Sequence, residues 1–278
     1  MIKVSEDNLF IDDSGPWAAR KYKLVKYYSN LFATSMKNKW DNRIYIDLYS
    51  SSGYTRIKGT NEIVMTSPLI AASVDDKFDK YIFCEIDSVK IDALEKRMKR
   101  DFDNINKKFI NADVNLFVNQ IIEEIPTFSK EFTGITLCLV DPYKIDNFAF
   151  KTILSLSFYK IDFLILIPSY MDVNRNEKNY IDEHSTLVTK FLDNPNWRDE
   201  WDKLKLKGFT FGTFIVKAFN DRMIKEGFLG LNNDEFILIR NPQNNSPLYH
   251  LAFYSKNKLG KKFWNNARKA TSDQLEFF

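Results

Sequence analysis

The sequence predicts an α/β fold: a doubly wound, mostly parallel sheet with an antiparallel C-terminal strand pair and a helical insertion. Three observations predict it. Apolar runs without alternation, such as KYIFCEI (80–86) and DFLILIP (162–168), read as strands buried on both faces. Amphipathic stretches at helical spacing separate those runs, so successive strands lie parallel beneath flanking helices. Five such units fit into about 150 residues, the economy of a doubly wound sheet.

Residues 17–33, WAARKYKLVKYYSNLFA, set Leu24, Val25, Tyr28, Leu31 and Phe32 on one helical face. A β-branched and aromatic run at 43–49 is the first core strand, and a loop runs from it to about residue 66. There TSPLIAAS begins a short helix, with Ser67 as its expected cap and Pro68 at the first turn, where a missing N–H costs nothing. The run at 80–86 is the second strand, followed by Ile91, Leu94, Met98 and Phe102 at helical spacing. KFIN (108–111) is a short strand, and Val114, Phe117, Val118, Ile121 and Ile125 mark a helix ended by Pro126. ITLCLVDPY (135–143), a helix around 147–158 and the run at 162–168 complete the five units. Residues 170–208 turn polar and charged, with helical stretches, and read as an insertion. An amphipathic helix (210–228) then precedes strands at 235–240 and 247–255, joined through PQNNSP as an antiparallel pair. The division expected is a core over 1–169, a helical insertion over 170–209, and a unit over 210–278 holding the helix, the strand pair and a basic tail.

Composition excludes several classes. With 44% hydrophobic and 28% charged residues among 278, the chain suits a soluble globular protein. Forty Lys plus Arg against 37 Asp plus Glu give a formal charge of +3, too small to name a nucleic-acid partner by itself. The opening MIKVSEDNLFIDD lacks the basic and apolar segments of a secretory signal, and FLILIP is far too short to span a bilayer. The expectation is a cytoplasmic protein without membrane contact. Cys84 and Cys138 lie inside apolar runs and read as reduced, buried thiols. Two histidines and no CxxC leave no zinc spacing, so no metal is expected.

In open α/β sheets ligands bind outside the carboxyl ends of the strands. Acids stand there in succession: Asp47, Glu85, Asp113 and Asp141. A carboxylate after the second strand can accept two hydrogen bonds from a ribose diol, a role open to Glu85; otherwise Glu85 is an acid favoured by a helix N-terminus. Asp113 suits either the exocyclic amine of adenine or an N-cap. In Asp141-Pro142-Tyr143 an acid can accept a hydrogen bond from a substrate amine, the proline orients a backbone carbonyl, and the ring can stack on a planar base. That set suits methyl transfer to an exocyclic amine. A dinucleotide oxidoreductase fares poorly because GxGxxG is missing.

Taken together, IDLYSSSG, TSPLIAA, FCEID, NAD, LVDPY, DFLILIP and PLYHLAFYSKNKLGKKFW resemble the three-Cys-motif partner family, from about Trp17 to Phe278. Members of that family are similar to class I S-adenosylmethionine-dependent methyltransferases. The resemblance implies that fold, S-adenosylmethionine as cofactor, a genomically linked partner with three cysteines, and a bacterial mobile-element or defence setting. It implies a cofactor site at Asp47, Tyr49, Ser50, Ser51, Gly53, Glu85 and Asp113, with Asp141, Pro142 and Tyr143 facing the acceptor. It also leaves the 210–255 helix and strand pair open to a winged-helix reading.

The family pattern D-x-F-A-G-P-G stands here as Asp47-Leu48-Tyr49-Ser50-Ser51-Ser52-Gly53, and the glycine after DPY is Lys144. Serine takes the positive φ of a glycine only at a cost of about 1–2 kcal/mol. Ser51 and Ser52 would place side chains where backbone should approach the cofactor, so the loop is expected to keep its strand-to-helix shape but to bind S-adenosylmethionine weakly or not at all. Two readings follow: a methyltransferase acting on an amino group of a nucleic-acid base, or a binding or effector subunit that keeps the fold without the chemistry. The closing segment adds Lys256, Lys258, Lys261, Lys262, Arg268 and Lys269, interleaved with Phe263 and Trp264. It reads either as a polyanion contact or as a solvated helix face with its aromatics docked on the core.

Overall fold

Strands that are apolar on both faces need cover on both sides, and the chain alternates strand and helix to supply it. The computed structural model describes residues 1–273, with side chains described through 269; residues 274–278 of the expected C-terminal unit lie outside the described residues. In chain order the elements are β1 (Asp12–Ser14), α1 (Ala18–Met36), β2 (Asn42–Asp47), β3 (Tyr54–Ile57), β4 (Ile63–Met65), α2 (Ser67–Ala72), β5 (Lys80–Glu85), α3 (Ser88–Asp101), β6 (Lys107–Asn111) and α4 (Val114–Glu123). They continue as β7 (Gly134–Val140), α5 (Lys151–Leu156), β8 (Ile161–Ile167), α6 (Met171–Ile181), α7 (Leu187–Leu192), α8 (Trp197–Lys205), α9 (Phe211–Lys225), β9 (Ile237–Arg240), β10 (Pro247–Tyr254) and α10 (Lys258–Asp273).

The main sheet has the order β6-β5-β2-β7-β8-β10-β9. The first five of these are parallel. β10 enters antiparallel beside β8, with His250 opposite Ile167 and Tyr254 opposite Phe163, and β9 closes the edge antiparallel to β10. Five parallel strands extended by an antiparallel strand inserted before the edge make the class I methyltransferase fold. The last strand therefore sits beside the fifth, as expected, and completes the core sheet instead of forming the wing of a separate subdomain. β7 and β8 are buried at every position, which accounts for their unbroken apolar sequence.

The stretch expected as a loop up to residue 66 instead holds β3 and β4. They join β1 in a second sheet of order β1-β3-β4, with Asp12 paired parallel to Thr55. The cap of α2 is Thr66, extended at φ −97° and ψ 179°, and not Ser67, whose hydroxyl turns to Asp47 instead. The strand at 135–143 stops at Val140, before a proline that could not donate to the ladder. The expected helix at 147–158 is a 3-10 turn at Ile145–Asn147, then α5, because Phe148 keeps extended backbone between them.

α6, α7 and α8 pack on α9, where Trp197 and Trp201 meet Phe211 and Phe214 at ring distances of 5.2–6.2 Å. α10 lies on α1 and β10: Trp264 is buried between Tyr28 and Phe253, and its Nε1 donates to the Glu235 carbonyl at 2.8 Å. Among the described residues no helix is long and apolar enough to cross a membrane.

Candidate functional site

From β2 the sheet grows in two directions, through β5 and β6 on one side and through β7 and β8 on the other. Connections leaving β2 and β7 therefore diverge, and a crevice opens at their carboxyl ends. A cleft of about 580 Å³ occupies it, within the range of small-molecule sites. It is lined by Tyr49 and Ser51 after β2, Glu85 and Ile86 after β5, Asp113 at the start of α4, and Asp141 and Tyr143 after β7. Lys21 of α1, Asp12 of β1 and Lys90 of α3 close its walls.

The loop after β2 is fixed residue by residue. Ser50 donates its N–H to the Cys84 carbonyl at 2.9 Å and its hydroxyl to the same oxygen at 3.2 Å, so its side chain faces the sheet. Ser51 adopts φ +54°, the left-handed conformation that a glycine would take without strain. Its N–H donates to Glu85 Oε2 at 2.9 Å and its hydroxyl to the Asp12 carboxylate. Ser52 is buried, with its hydroxyl on the Tyr54 carbonyl at 2.9 Å, and so turns away from the cleft. Gly53 has φ +89°, and a Cβ there would press on Leu69 and Leu94. Only Ser51, of the two serines expected to crowd the ligand, borders the cleft.

Glu85 spans the turn into α3, its second oxygen accepting the Asp87 N–H at 3.0 Å. Asp87, not Glu85, is the cap of α3. Asp113 caps α4 through the Asn115 N–H at 2.9 Å, which realises the capping alternative while leaving Asp113 on the cleft wall. Tyr49 reaches across to donate to the Asn147 carbonyl at 2.8 Å, and Asn115 donates to the same oxygen.

Asp47 is fully buried at the cleft floor. Burial raises its carboxyl to about 7, against the opposing hydrogen bond from Ser67. Lys21 donates to Asp141 Oδ2 at 2.7 Å; burial opposes the ammonium charge, but Asp141 holds it well above its ordinary value. Lys90 pairs with Asp12 at 2.8 Å, and Asp12, with Glu85 and Asp87, outweighs the burial that would lower it. Cys84 and Cys138 are free and buried; burial pushes the Cys84 thiol to about 12.

The cleft thus brings together Tyr49, Ser51, Glu85, Asp113, Asp141 and Tyr143. Ser50, Gly53 and the buried Pro142 shape its loops without lining it, and Asp47 lies beneath. The basic closing segment is elsewhere. Because β10 runs antiparallel to β8, Tyr254 pairs with Phe163 at the opposite edge of the sheet, where α10 then begins. Lys256 donates to the Ser157 carbonyl, Lys261 pairs with Glu235 at 3.0 Å, and Arg268 pairs with Asp234. Lys258, Lys262 and Lys269 are exposed. Sequence reasoning missed Asp12, Lys21 and Lys90. Each sits on an element whose polar positions look like ordinary solvent faces, and only the tertiary fold turns them inward.

No protein-family model matches the chain, and no curated protein sequence matches it. Among solved structures it is similar to a Legionella pneumophila protein of family DUF519, with 11% identity, 90% of this chain against 91% of that one, and a TM-score of 0.49. It is also similar to an rRNA methylase from Streptococcus thermophilus (10% identity, 86% against 95%, TM-score 0.40). A third is magnesium protoporphyrin IX methyltransferase from Synechocystis PCC 6803 with bound SAM (7%, 86% against 82%, 0.42).

Proposed function

We propose that the cleft binds S-adenosylmethionine and that the protein transfers a methyl group to an amino group of a nucleic-acid base. The observation that carries this reading is the Glu85–Ile86 pair at the carboxyl end of β5, on the cleft wall. Glu85 is fixed by two backbone N–H groups, and its remaining lone pairs suit a ribose diol. Ile86, 65% exposed in the cleft beside Ala112 and Val114, offers an apolar face to a base. The lining acids Asp12, Asp13, Glu85, Asp113, Asp141 and Asp146 outnumber Lys21 and Lys90. That balance favours a sulfonium and an ammonium and disfavours a pyrophosphate.

S-adenosylmethionine, when bound, supplies an electrophilic methyl group. The chain's part is to hold and orient: Glu85 at the ribose, the free oxygen of Asp113 at the exocyclic amine, Tyr49 and Ser51 along the floor. At the other end Asp141 accepts a hydrogen bond from the acceptor amine, and Tyr143, 72% exposed at the rim, stacks on the base. Calorimetric titration with S-adenosylmethionine and with its demethylated product tests the site. Glu85→Ala should weaken binding about tenfold or more, the loss of charge-assisted hydrogen bonds. Equal affinity in the variant removes Glu85 from the ribose.

The Lys21–Asp141 ion pair favours a second reading, a subunit that keeps the cleft without transferring methyl groups. There the ammonium already holds the carboxylate that a substrate amine needs. Transfer of labelled methyl to DNA or RNA supports the first reading; cofactor binding without transfer supports the second. In either case the free, buried cysteines support a cytoplasmic protein, and the family resemblance supports a bacterial mobile-element or defence setting with a three-cysteine partner.

A further inference from the structure

The carboxyl edge of the sheet changes sign along its length. Acids end β5, β2 and β7, while beyond the Lys21–Asp141 pair stand Arg20 of α1, Tyr249 of β10 and Arg240 of β9, and the acid after β8, Asp172, is turned inward onto the Ile145 N–H and the Tyr180 hydroxyl. Arg20, next to Lys21 on α1, is half-buried. Its Nε is out of contact with solvent and has no hydrogen-bond partner, and no ion pair joins its guanidinium to another described residue. Burial disfavours its charge, and the neighbouring charge of Arg240 disfavours it further. Tyr249 is 6% exposed, on the face of β10 that carries Phe253 and packs on α1 through Tyr28. Its hydroxyl is also buried without a partner, within electrostatic reach of Arg20, Lys21 and Asp141. β10 begins at the carboxyl end of β8, so this cluster lies at the level of the cleft mouth.

A half-buried guanidinium and a buried hydroxyl left unpaired each cost free energy that a folded chain ordinarily avoids. Arg240 is exposed and donates to the Asn245 carbonyl at 2.9 Å, a neutral partner that leaves its repulsion with Arg20 uncompensated. All these groups are hydrogen-bond donors, and one tetrahedral anion satisfies them together. We propose that Arg20, Arg240 and the Tyr249 hydroxyl form a phosphate subsite at the acceptor end of the cleft, adjoining Lys21. This rests on the methyl-transfer reading and narrows it: the acceptor carries a phosphate, as a nucleotide monoester or an oligonucleotide diester. The acidic half of the edge holds the cationic cofactor, the basic half holds the anionic acceptor, and the Lys21–Asp141 pair marks the boundary.

Fluorescence anisotropy of a labelled single-stranded oligonucleotide, competed by inorganic phosphate and by AMP, reads the subsite without requiring turnover. Wild type should bind, and inorganic phosphate should compete. Competition by AMP at oligonucleotide-like concentrations assigns a free nucleotide; binding of the oligonucleotide alone assigns the backbone. Arg20→Gln and Tyr249→Phe should each weaken binding about tenfold. Both variants should melt at or above the wild-type temperature, since Arg20→Gln removes a half-buried charge and Tyr249→Phe an unsatisfied buried hydroxyl; a merely structural arginine would lower it. Binding unchanged in both variants, or no binding of any phosphate-bearing probe, overturns the subsite. S-adenosylmethionine titrated into the same proteins separates the two proposals: the cofactor bound with no phosphate probe bound sinks only the subsite, and the reverse sinks only the cofactor reading.

Discussion

Ser51 holds a left-handed backbone at φ +54°, a conformation that costs a residue with a side chain about 1–2 kcal/mol. In return its hydroxyl donates to Asp12, whose other oxygen pairs with Lys90 at 2.8 Å. Glycine would relieve the strain but could not make the bond. The serine is thus tied into the wall of the cleft, and its neighbour Ser52 points into the loop, so the three serines are compatible with an open cofactor site. Alanine and glycine separate the two effects. Ser51→Ala keeps the strain and loses the bond, and should destabilise by ~1 kcal/mol in urea denaturation. Ser51→Gly should fall between Ala and wild type or match wild type. An alanine variant as stable as wild type would show that the Asp12 bond contributes nothing.

At the scale of elements, the seven-stranded sheet was legible because burial on both faces writes itself as unbroken apolar runs, IDFLILI in β8 above all. The β1-β3-β4 sheet was not. Its strands have three or four residues, and DDS in β1 is held by pairing with Tyr54–Ile57, a relation absent from local periodicity. The site divides in the same way. Acids at strand ends could be read directly, whereas Lys21 belongs to the polar side of an amphipathic helix and gains meaning only when the fold brings it to Asp141, after β7. The basic run of α10 shows the converse. Dense charge in sequence left two readings open, a polyanion contact or a solvated face with docked aromatics; Trp264 is buried, and Lys256, Lys261 and Arg268 have protein partners, as the second reading expects. Replacing the exposed Lys258 and Lys262 together by Gln should leave oligonucleotide affinity within about twofold and its salt dependence nearly unchanged. A marked fall in either would place the nucleic acid on this helix and not at the cleft.

For the whole molecule, two buried acids and the half-buried His250 set the response to pH between 4 and 7. Asp162, at the start of β8, is raised to about 7 by burial, with a hydrogen bond from Ser255 opposing the rise. Asp47 is raised to about 7 in the same way beneath the cleft. An acid whose folded value exceeds its unfolded one binds its proton more tightly when folded. The stability it contributes is full below the unfolded value of 3.8 and is lost as pH rises through about 7. Asp7 acts oppositely: Arg97 foremost, then Arg100, hold it near 2 against burial, so its contribution is present above 3.8 and lost as pH falls towards 2. Between pH 4 and 7 the two raised acids make stability fall with rising pH, opposed by His250, which burial lowers to about 4, so that its contribution is present above 6.5 and lost as pH falls through about 4. Asp162 lies away from the cleft, so Asp162→Asn can be read without disturbing a ligand site. The variant should gain up to about 4 kcal/mol relative to wild type at pH 8, with little difference at pH 4. Its melting temperature should accordingly decline less steeply from pH 4 to 8, what remains being the fall due to Asp47 offset by the rise due to His250. A variant whose melting curve runs parallel to wild type across that range would mean that Asp162 is ionised in the folded protein at all these pH values, with its charge matched by surroundings such as the Ser255 hydroxyl.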